Sequence, residues 1–202
     1  MTFAILSALA EEQQGLIDLL QQARRVERAG RAFWLGALHG QPVVLALSRI
    51  GKVAAATTAT TLIEAFGARR LLFTGVAGGI GPGVQVGDVV VASEFVQHDM
   101  DATPLFPRYQ VPLYGRARFT CDTALAQALL AAARAGLARL GLSASVHHGL
   151  IASGDRFVSA AEEARALRAA LREAGHSPLA VEMEGAAVAQ VCHDYGIPFA
   201  AV

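Results

Sequence analysis

The sequence predicts an α/β protein: a single domain over residues 1–202, three layers deep (α/β/α), around a mixed, mostly parallel central sheet. Three observations predict it. Short apolar runs alternate with Ala-rich helical segments along the whole chain, the pattern of parallel strands covered by helices on both faces. A hairpin signal near the N-terminus, Gly40-Gln41 between two strand-like runs, adds antiparallel pairing. The 202 residues contain no repeat, low-complexity tract or linker, so one core is expected.

The elements follow in order. Thr2–Ser7 is a short apolar strand, and a helix follows around Glu11–Gln22. Arg31–His39 and Pro42–Ser48 form the hairpin. Lys52–Phe66 is an Ala-rich helix, despite its threonines, and Arg69–Thr74 is a buried strand. Gly75 to Gly83 is a loop holding five glycines. Asp88–Val96 is a strand, and Asp99–Ala117 is a loop carrying Pro104, Pro107 and Pro112. Asp122–Leu140 is a long helix and Val146–Ser153 a strand. Ser159 with Glu162 three residues on reads as a capping box opening the next helix. Pro178–Val181 is a strand, Glu184–Tyr195 a helix closed by Gly196, and Pro198–Val202 starts a last strand.

Composition narrows the function. Seventeen Lys+Arg balance seventeen Asp+Glu, which argues against a nucleic-acid or anionic-membrane binder. Only 17% of residues are charged, 53% are hydrophobic and mean hydropathy is +0.40. That apolar excess implies a face covered by a partner subunit. Cys121 and Cys192 are too few for a disulfide scaffold or zinc ribbon and read as reduced, partly buried small hydrophobes. Phe3–Leu9 lacks a basic leader and runs into Glu11 and Glu12, unlike a signal peptide. No apolar run is long enough to span a membrane. A cytoplasmic protein is expected.

In sheets of this kind ligands sit outside the carboxyl ends of the strands, and four such ends carry unusual residues. Glu11 and Glu12 open the first helix. They either complement its dipole or aim a carboxylate into the crevice. The loop Thr74–Gly83 has neither the Lys-Ser/Thr ending of a phosphate loop nor a dinucleotide fingerprint, and its glycines suit a close backbone approach or a tight turn. Phe157, just past Ser153-Gly154-Asp155-Arg156, is a rim or core residue or a platform for a flat ring. Glu182-Met183-Glu184 is the sharpest oddity, since Glu is rarely buried unless paired or used. His147 and His148 point to opposite strand faces and cannot share a metal, while His98-Asp99 reads as structural. No metal site is expected.

Together these segments resemble the 5′-methylthioadenosine/S-adenosylhomocysteine nucleosidases of the nucleoside phosphorylase/hydrolase superfamily. The resemblance rests on Ala8–Glu12, Ser48–Val53, Thr74–Gly79, Val86–Asp88, His98–Asp101, Ser153–Phe157 and Val181–Glu184, in order along the chain. It implies a nucleoside phosphorylase-like fold, no cofactor, a homodimer and a small nucleoside substrate. It also implies hydrolysis of the N-glycosidic bond, releasing adenine and a thioribose in methionine salvage and methyl-cycle recycling. By resemblance Glu12 polarises the attacking water and Glu184 binds the ribose hydroxyls, with Met183 against the sugar. Phe157 stacks on adenine and the Val158 backbone reads its edge. Glu182 binds or orients water and ribose, Ile50 lines the 5′-alkylthio pocket, and Ala77 and Gly78 contact substrate. Leu105, Phe106 and Pro112 align loosely with a segment lent to the neighbouring subunit.

Two departures stand out. Val76 replaces a common Ser, so a hydroxyl contact is in doubt. The family's general acid, an Asp in an Arg-x-x-Ser-Asp segment directly after the last strand, is not in the chain. Ending at Val202 inside a strand suited to burial on both faces, the sequence is expected to lack a C-terminal loop and helix, and to be a poor catalyst as written. Three rivals remain. A phosphorylase would need a phosphate site where Glu11 and Glu12 would repel the anion, although Arg49 argues for it. A futalosine-type hydrolase differs in the base and 5′ pockets, and a catalytically silent nucleoside binder would tolerate both departures.

Overall fold

The apolar strands end up buried on both faces. In the computed structural model, which describes residues 2–202, strand β1 (Thr2–Ser7) sends Ala4 and Leu6 into one hydrophobic cluster and Phe3 and Ile5 into another. The chain continues through α1 (Ala10–Asp18), β2 (Gln21–Arg28), β3 (Arg31–Leu38), β4 (Gln41–Leu47), α2 (Lys52–Phe66) and β5 (Ala68–Phe73). Then come β6 (Gly78–Gly79), β7 (Val89–Gln97), β8 (Arg118–Thr120), α3 (Thr123–Leu140) and β9 (Val146–Ser153). Helix α4 (Ala161–Glu173), β10 (Ala180–Glu182), α5 (Gly185–Tyr195) and β11 (Phe199–Ala201) complete it.

The mixed, mostly parallel sheet is divided into two hydrogen-bonded sheets, ordered β11-β5-β1-β4-β3-β2 and β6-β10-β9-β7-β8. Their centres are parallel: β1 pairs with β4 and β5, and β9 with β7 and β10. The antiparallel pairs are β4 with β3 and β3 with β2 at one end of the first sheet, and β10 with β6 and β7 with β8 at the two edges of the second. The division has a local cause. Residues 118–122 run between β7 and β11, where Cys121 N–H donates to Ser93 and Asp122 N–H to Phe199. The two strands meet through Phe95 and Phe199, whose rings are 5.8 Å apart, and not through a ladder.

Helices cover both faces. The small side chains of α2 and α5, Ala55, Ala59, Ala186 and Ala189 among them, join a cluster with residues of both sheets. Helix α1 covers the far face of the first sheet through Leu16 and Ile17. Helices α3 and α4 cover the second through Leu130 and Leu171. Leu6, Leu62 and Leu71 are fully buried, and each such side chain contributes about 1.5–3 kcal/mol.

Some boundaries differ from the expectation. Helix α1 stops at Asp18, and the following Gln-Arg-rich segment is the edge strand β2. Almost wholly exposed, β2 carries no apolar alternation to announce it and is held by pairing with β3. Both hairpins turn through two residues with positive φ, Ala29-Gly30 and His39-Gly40, which suits the twist of the strands. The second turn is therefore one residue earlier than Gly40-Gln41. Strands β6 and β8 are too short to show a period. The Ser159 capping box does not form: Ala160 is the N-cap and makes no side-chain bond. Asp122 does cap α3, accepting from Leu125 N–H at 2.9 Å. Cys121 and Cys192 are free and buried. No helix among the described residues is long and apolar enough to cross a membrane.

The first residue of helix α5 is Gly185, where a Cβ would collide with the Phe95 ring. Gly185→Ala should cost about 1–3 kcal/mol by overpacking, read from urea unfolding, and trimming Phe95 to Leu in the same chain should return part of it. An undiminished midpoint in the single variant would show that the contact is not tight.

Candidate active site

Five strand ends converge because β1, β4, β5, β9 and β10 run in register-matched parallel pairs. The segments leaving them enclose a cavity of about 320 Å³. Glu12, Ile50, Ala77, Gly78, Phe157, Val158, Glu182, Met183 and Glu184 all line it, so the nine residues given a catalytic or substrate-binding role by the resemblance meet here. Ala8, Leu9, Val76, Arg156 and Val181 complete the wall. A larger hollow of about 600 Å³ lies behind the Gly-rich loop and shares Val76 and Glu182. Its other carboxylate, Asp88, is committed to Gln85, Ser145 and His147.

Glu12 projects from the first turn of α1. Its Oε2 accepts from Ala8 N–H at 2.8 Å and Leu9 N–H at 2.9 Å, and its Oε1 accepts from Val76 N–H at 3.0 Å. Gly75 allows this approach, since a Cβ there would lie 3.1 Å from Oε1. The Val76 backbone therefore anchors Glu12 where a Ser hydroxyl was in doubt, and the exposed Val76 side chain adds apolar wall. Glu11 is exposed and outside the cavity.

Glu184 is 5% exposed and N-caps α5. Its Oε1 accepts from Gly51 N–H at 2.6 Å, at the start of α2. Gly51 holds φ +100, a backbone that L side chains rarely adopt. Burial pushes the Glu184 carboxyl above its ordinary range; the Gly51 amide opposes the rise, and Glu12 and Asp155 add to it.

Glu182 is committed on both oxygens. Oε2 accepts from Glu184 N–H and Gly185 N–H, each at 2.8 Å, and Oε1 from the Ser153 hydroxyl. Ser153 in turn accepts from Ala186 N–H at 2.7 Å. Burial pushes Glu182 up to about 7, against the pull of Ser153 and the two amides. Sequence reasoning missed Ser153 as the partner; its position at a strand end just before Gly154 was the available signal.

Phe157 (74% exposed) and Ile50 (58% exposed) stand at the mouth, and Met183 is partly buried. Among the described residues Arg156 is the one cationic side chain on the wall, and it is paired with Glu163 at 2.5 Å. Arg49 turns away and donates to the Gly30 carbonyl at 2.6 Å. His147 bonds Asp88 while His148 is exposed, so the two do point apart. Among the described residues no three His, Cys, Asp or Glu side chains group as a metal site. The arrangement can place one carboxylate on water and another on sugar hydroxyls, with an aromatic face for a base.

A two-sheet α/β fold with carboxylates gathered at parallel strand ends defines a nucleoside-cleaving enzyme class, and the Phosphorylase superfamily model matches residues 2–202. The 5′-methylthioadenosine/S-adenosylhomocysteine nucleosidase of Chromohalobacter salexigens is 42% identical over 200 residues, covering 98% of this chain and 81% of that protein. The crystal structure of the Neisseria meningitidis nucleosidase, in complex with methylthio-immucillin-A, superposes with a TM-score of 0.87 at 39% identity, covering 99% of this chain and 83% of that one. The Colwellia psychrerythraea nucleosidase in complex with adenine gives 0.88 at 37%, covering 100% and 80%. The chain belongs to the 5′-methylthioadenosine/S-adenosylhomocysteine nucleosidase family.

Glu182 makes stability depend on pH. The unfolded chain releases this proton near pH 4.5, the ordinary value for Glu, and the folded protein at about 7. Folding therefore takes up a proton between those values, and stability falls as pH rises through that window. Glu184 acts in the same direction. Glu182→Gln should flatten the decline in unfolding free energy between pH 5 and 7, leaving the Glu184 part. An unchanged slope would mean that Glu182 is ionised throughout.

Proposed function

We propose that the cavity binds 5′-methylthioadenosine and S-adenosylhomocysteine and hydrolyses their N-glycosidic bonds, releasing adenine and a thioribose. The observation that carries this is the Glu12 carboxylate, fixed by three backbone N–H groups in the wall it shares with Glu184. The ligands named for the Neisseria and Colwellia relatives, a methylthio-immucillin and adenine, support the substrate class.

The carboxylate assignments follow from what each side chain has left to give, and the others are carried over from the family resemblance. A carboxylate offers about four acceptor positions. Glu12 has three engaged, and the one remaining on Oε1 is the place for the attacking water. The transition state is oxocarbenium-like, and a prefixed negative group near it needs no reorganisation. Glu184 spends Oε1 on Gly51, leaving Oε2 for the ribose hydroxyls. Glu182, with both oxygens engaged, orients Glu184 and the start of α5 rather than gripping the sugar itself. Met183 packs against the ribose, Phe157 stacks on adenine, and the Val158 backbone reads the base edge. Ala77 and Gly78 approach the ligand through their backbones, and Ile50 receives the 5′-alkylthio group. No lining residue is assigned the acid that protonates the departing base.

Phosphorolysis fits poorly. Arg156 is occupied by Glu163 and Arg49 by Gly30, and Glu12 would repel a phosphate. The exposed apolar side chains Leu9, Ile50, Val53 and Phe157 support a homodimer that covers the cavity mouth, with the loop of Leu105, Phe106 and Pro112 reaching the neighbouring cavity. A cytoplasmic role in methionine salvage and methyl-cycle recycling follows from the substrates.

The complete protein should release adenine from methylthioadenosine in phosphate-free buffer, followed by chromatography; release that needs phosphate would overturn hydrolysis. Glu12→Gln should retain nucleoside binding by calorimetry and lose about 10²–10⁴-fold in turnover, whereas undiminished turnover would remove Glu12 from the chemistry. Sedimentation equilibrium should give twice the chain mass, and a monomer at working concentration would exclude the shared mouth.

A further inference from the structure

One partly buried ion pair beside the cavity takes no part in the steps above. Lys52 Nζ lies 2.6 Å from Asp99 Oδ1, with the two side chains 17% and 28% exposed. Neither lines the cavity. Each belongs to a closed ring of contacts. Asp155 N–H donates to Asp99 Oδ2 at 2.9 Å, and Lys52 N–H donates to Asp155 Oδ1 at 2.7 Å. Lys52 Nζ also donates to Gln97 at 3.0 Å, and Gln97 donates to Gln190 of α5 at 2.8 Å.

The ring ties three segments distant in sequence: the start of α2, the end of β7 and the loop after β9. The first and the last lie one or two residues from a cavity wall, and the end of β7 bridges them. Gly51, next to Lys52, donates to Glu184. Arg156 and Phe157, next to Asp155, form the opposite rim. His98 braces the same loop from beneath, since a Cβ on Gly154 would strike its ring. Its N–H donates to Ser153 O at 2.8 Å, and Gly154 N–H donates to Glu182 O at 3.1 Å. The loop is thus held on each side, and Asp99 bonds both Lys52 and the loop backbone.

We propose that Lys52 and Asp99 are positioning residues: their ion pair sets the distance between the wall that carries Glu184 and the rim that carries Phe157, and so the fit around ribose and base. The geometry stands alone, but the consequence for turnover rests on the nucleosidase reading. The pair suits this task. Burial works against the Asp99 charge, yet Lys52 and the Asp155 amide outweigh it and hold the carboxyl below its usual range. Removing one partner strands the other charge in a partly buried place, so losing both should be no worse than losing one.

The test compares Asp99→Asn, Lys52→Met, the double variant and Lys52→Arg with the unaltered protein. In hydrogen exchange, the amides of Lys52 and Asp155 should exchange about tenfold faster in the first three, as in a local opening, while those of β1 stay protected. Adenine release from methylthioadenosine should fall about 10- to 100-fold in kcat/KM, the scale of a misplaced reacting geometry. The double variant should match the worse single one, since the partners act as a unit, and Lys52→Arg should recover most of the rate. Three outcomes would overturn the proposal: exchange that rises equally across the protein, exchange unchanged at Lys52 and Asp155, or losses that multiply in the double variant. Adenine release is measured on the complete protein; if none appears there the nucleosidase reading fails, and the exchange pattern still decides whether the ring holds the two walls.

Discussion

The hydrogen bond from Gly51 N–H to Glu184 is the contact on which the site depends. Gly51 follows the first sheet and Glu184 follows the second, 133 residues apart in the chain. The cavity opens where the two sheets' carboxyl ends come together, and this bond crosses that seam. It satisfies an orphan donor at the start of α2 while fixing a carboxylate that burial would otherwise disfavour. The packing of α2 on α5 through small side chains brings the two helix starts close enough for it.

The same device recurs around the cavity. Glu12, Glu182, Glu184 and Asp155 are all held by backbone N–H groups at or near helix starts. Helix N-termini favour negative charge, so the fold can gather carboxylates without matching cations. This leaves a cavity rich in carboxyl groups in a protein of zero formal net charge. Such a cavity suits a substrate whose transition state gains positive character and repels an anion. Its acceptor positions are mostly spent on the backbone, and the few left over face the cavity.

The low charge content has two separate sources. One is a core in which both sheets are covered on both faces by Leu, Val, Phe and Ala. The other is exposed apolar surface at the mouth, where Ile50 and Phe157 lie open. Both raise mean hydropathy, and only the second bears on association.

The sequence by itself determined the α/β class, the order of the long elements and the identity of the cavity residues. Lys52–Phe66, Val146–Ser153 and the end of the last helix at Gly196 were legible because apolar runs and a left-handed glycine act locally. Glu182-Met183-Glu184 was legible because carboxylates in an apolar run need a reason. What only the tertiary structure decided is long-range. Strand β2 exists through its pairing with β3, not through its own pattern. The strands separate into two sheets because residues 118–122 run between β7 and β11. His98-Asp99 looked merely structural, and Lys52 stood in a motif without a task. They became a ring of contacts beside the cavity only when chain segments up to 103 residues apart were brought within hydrogen-bond distance. A local pattern records which groups must be buried, whereas the partner that satisfies each of them is chosen by the fold.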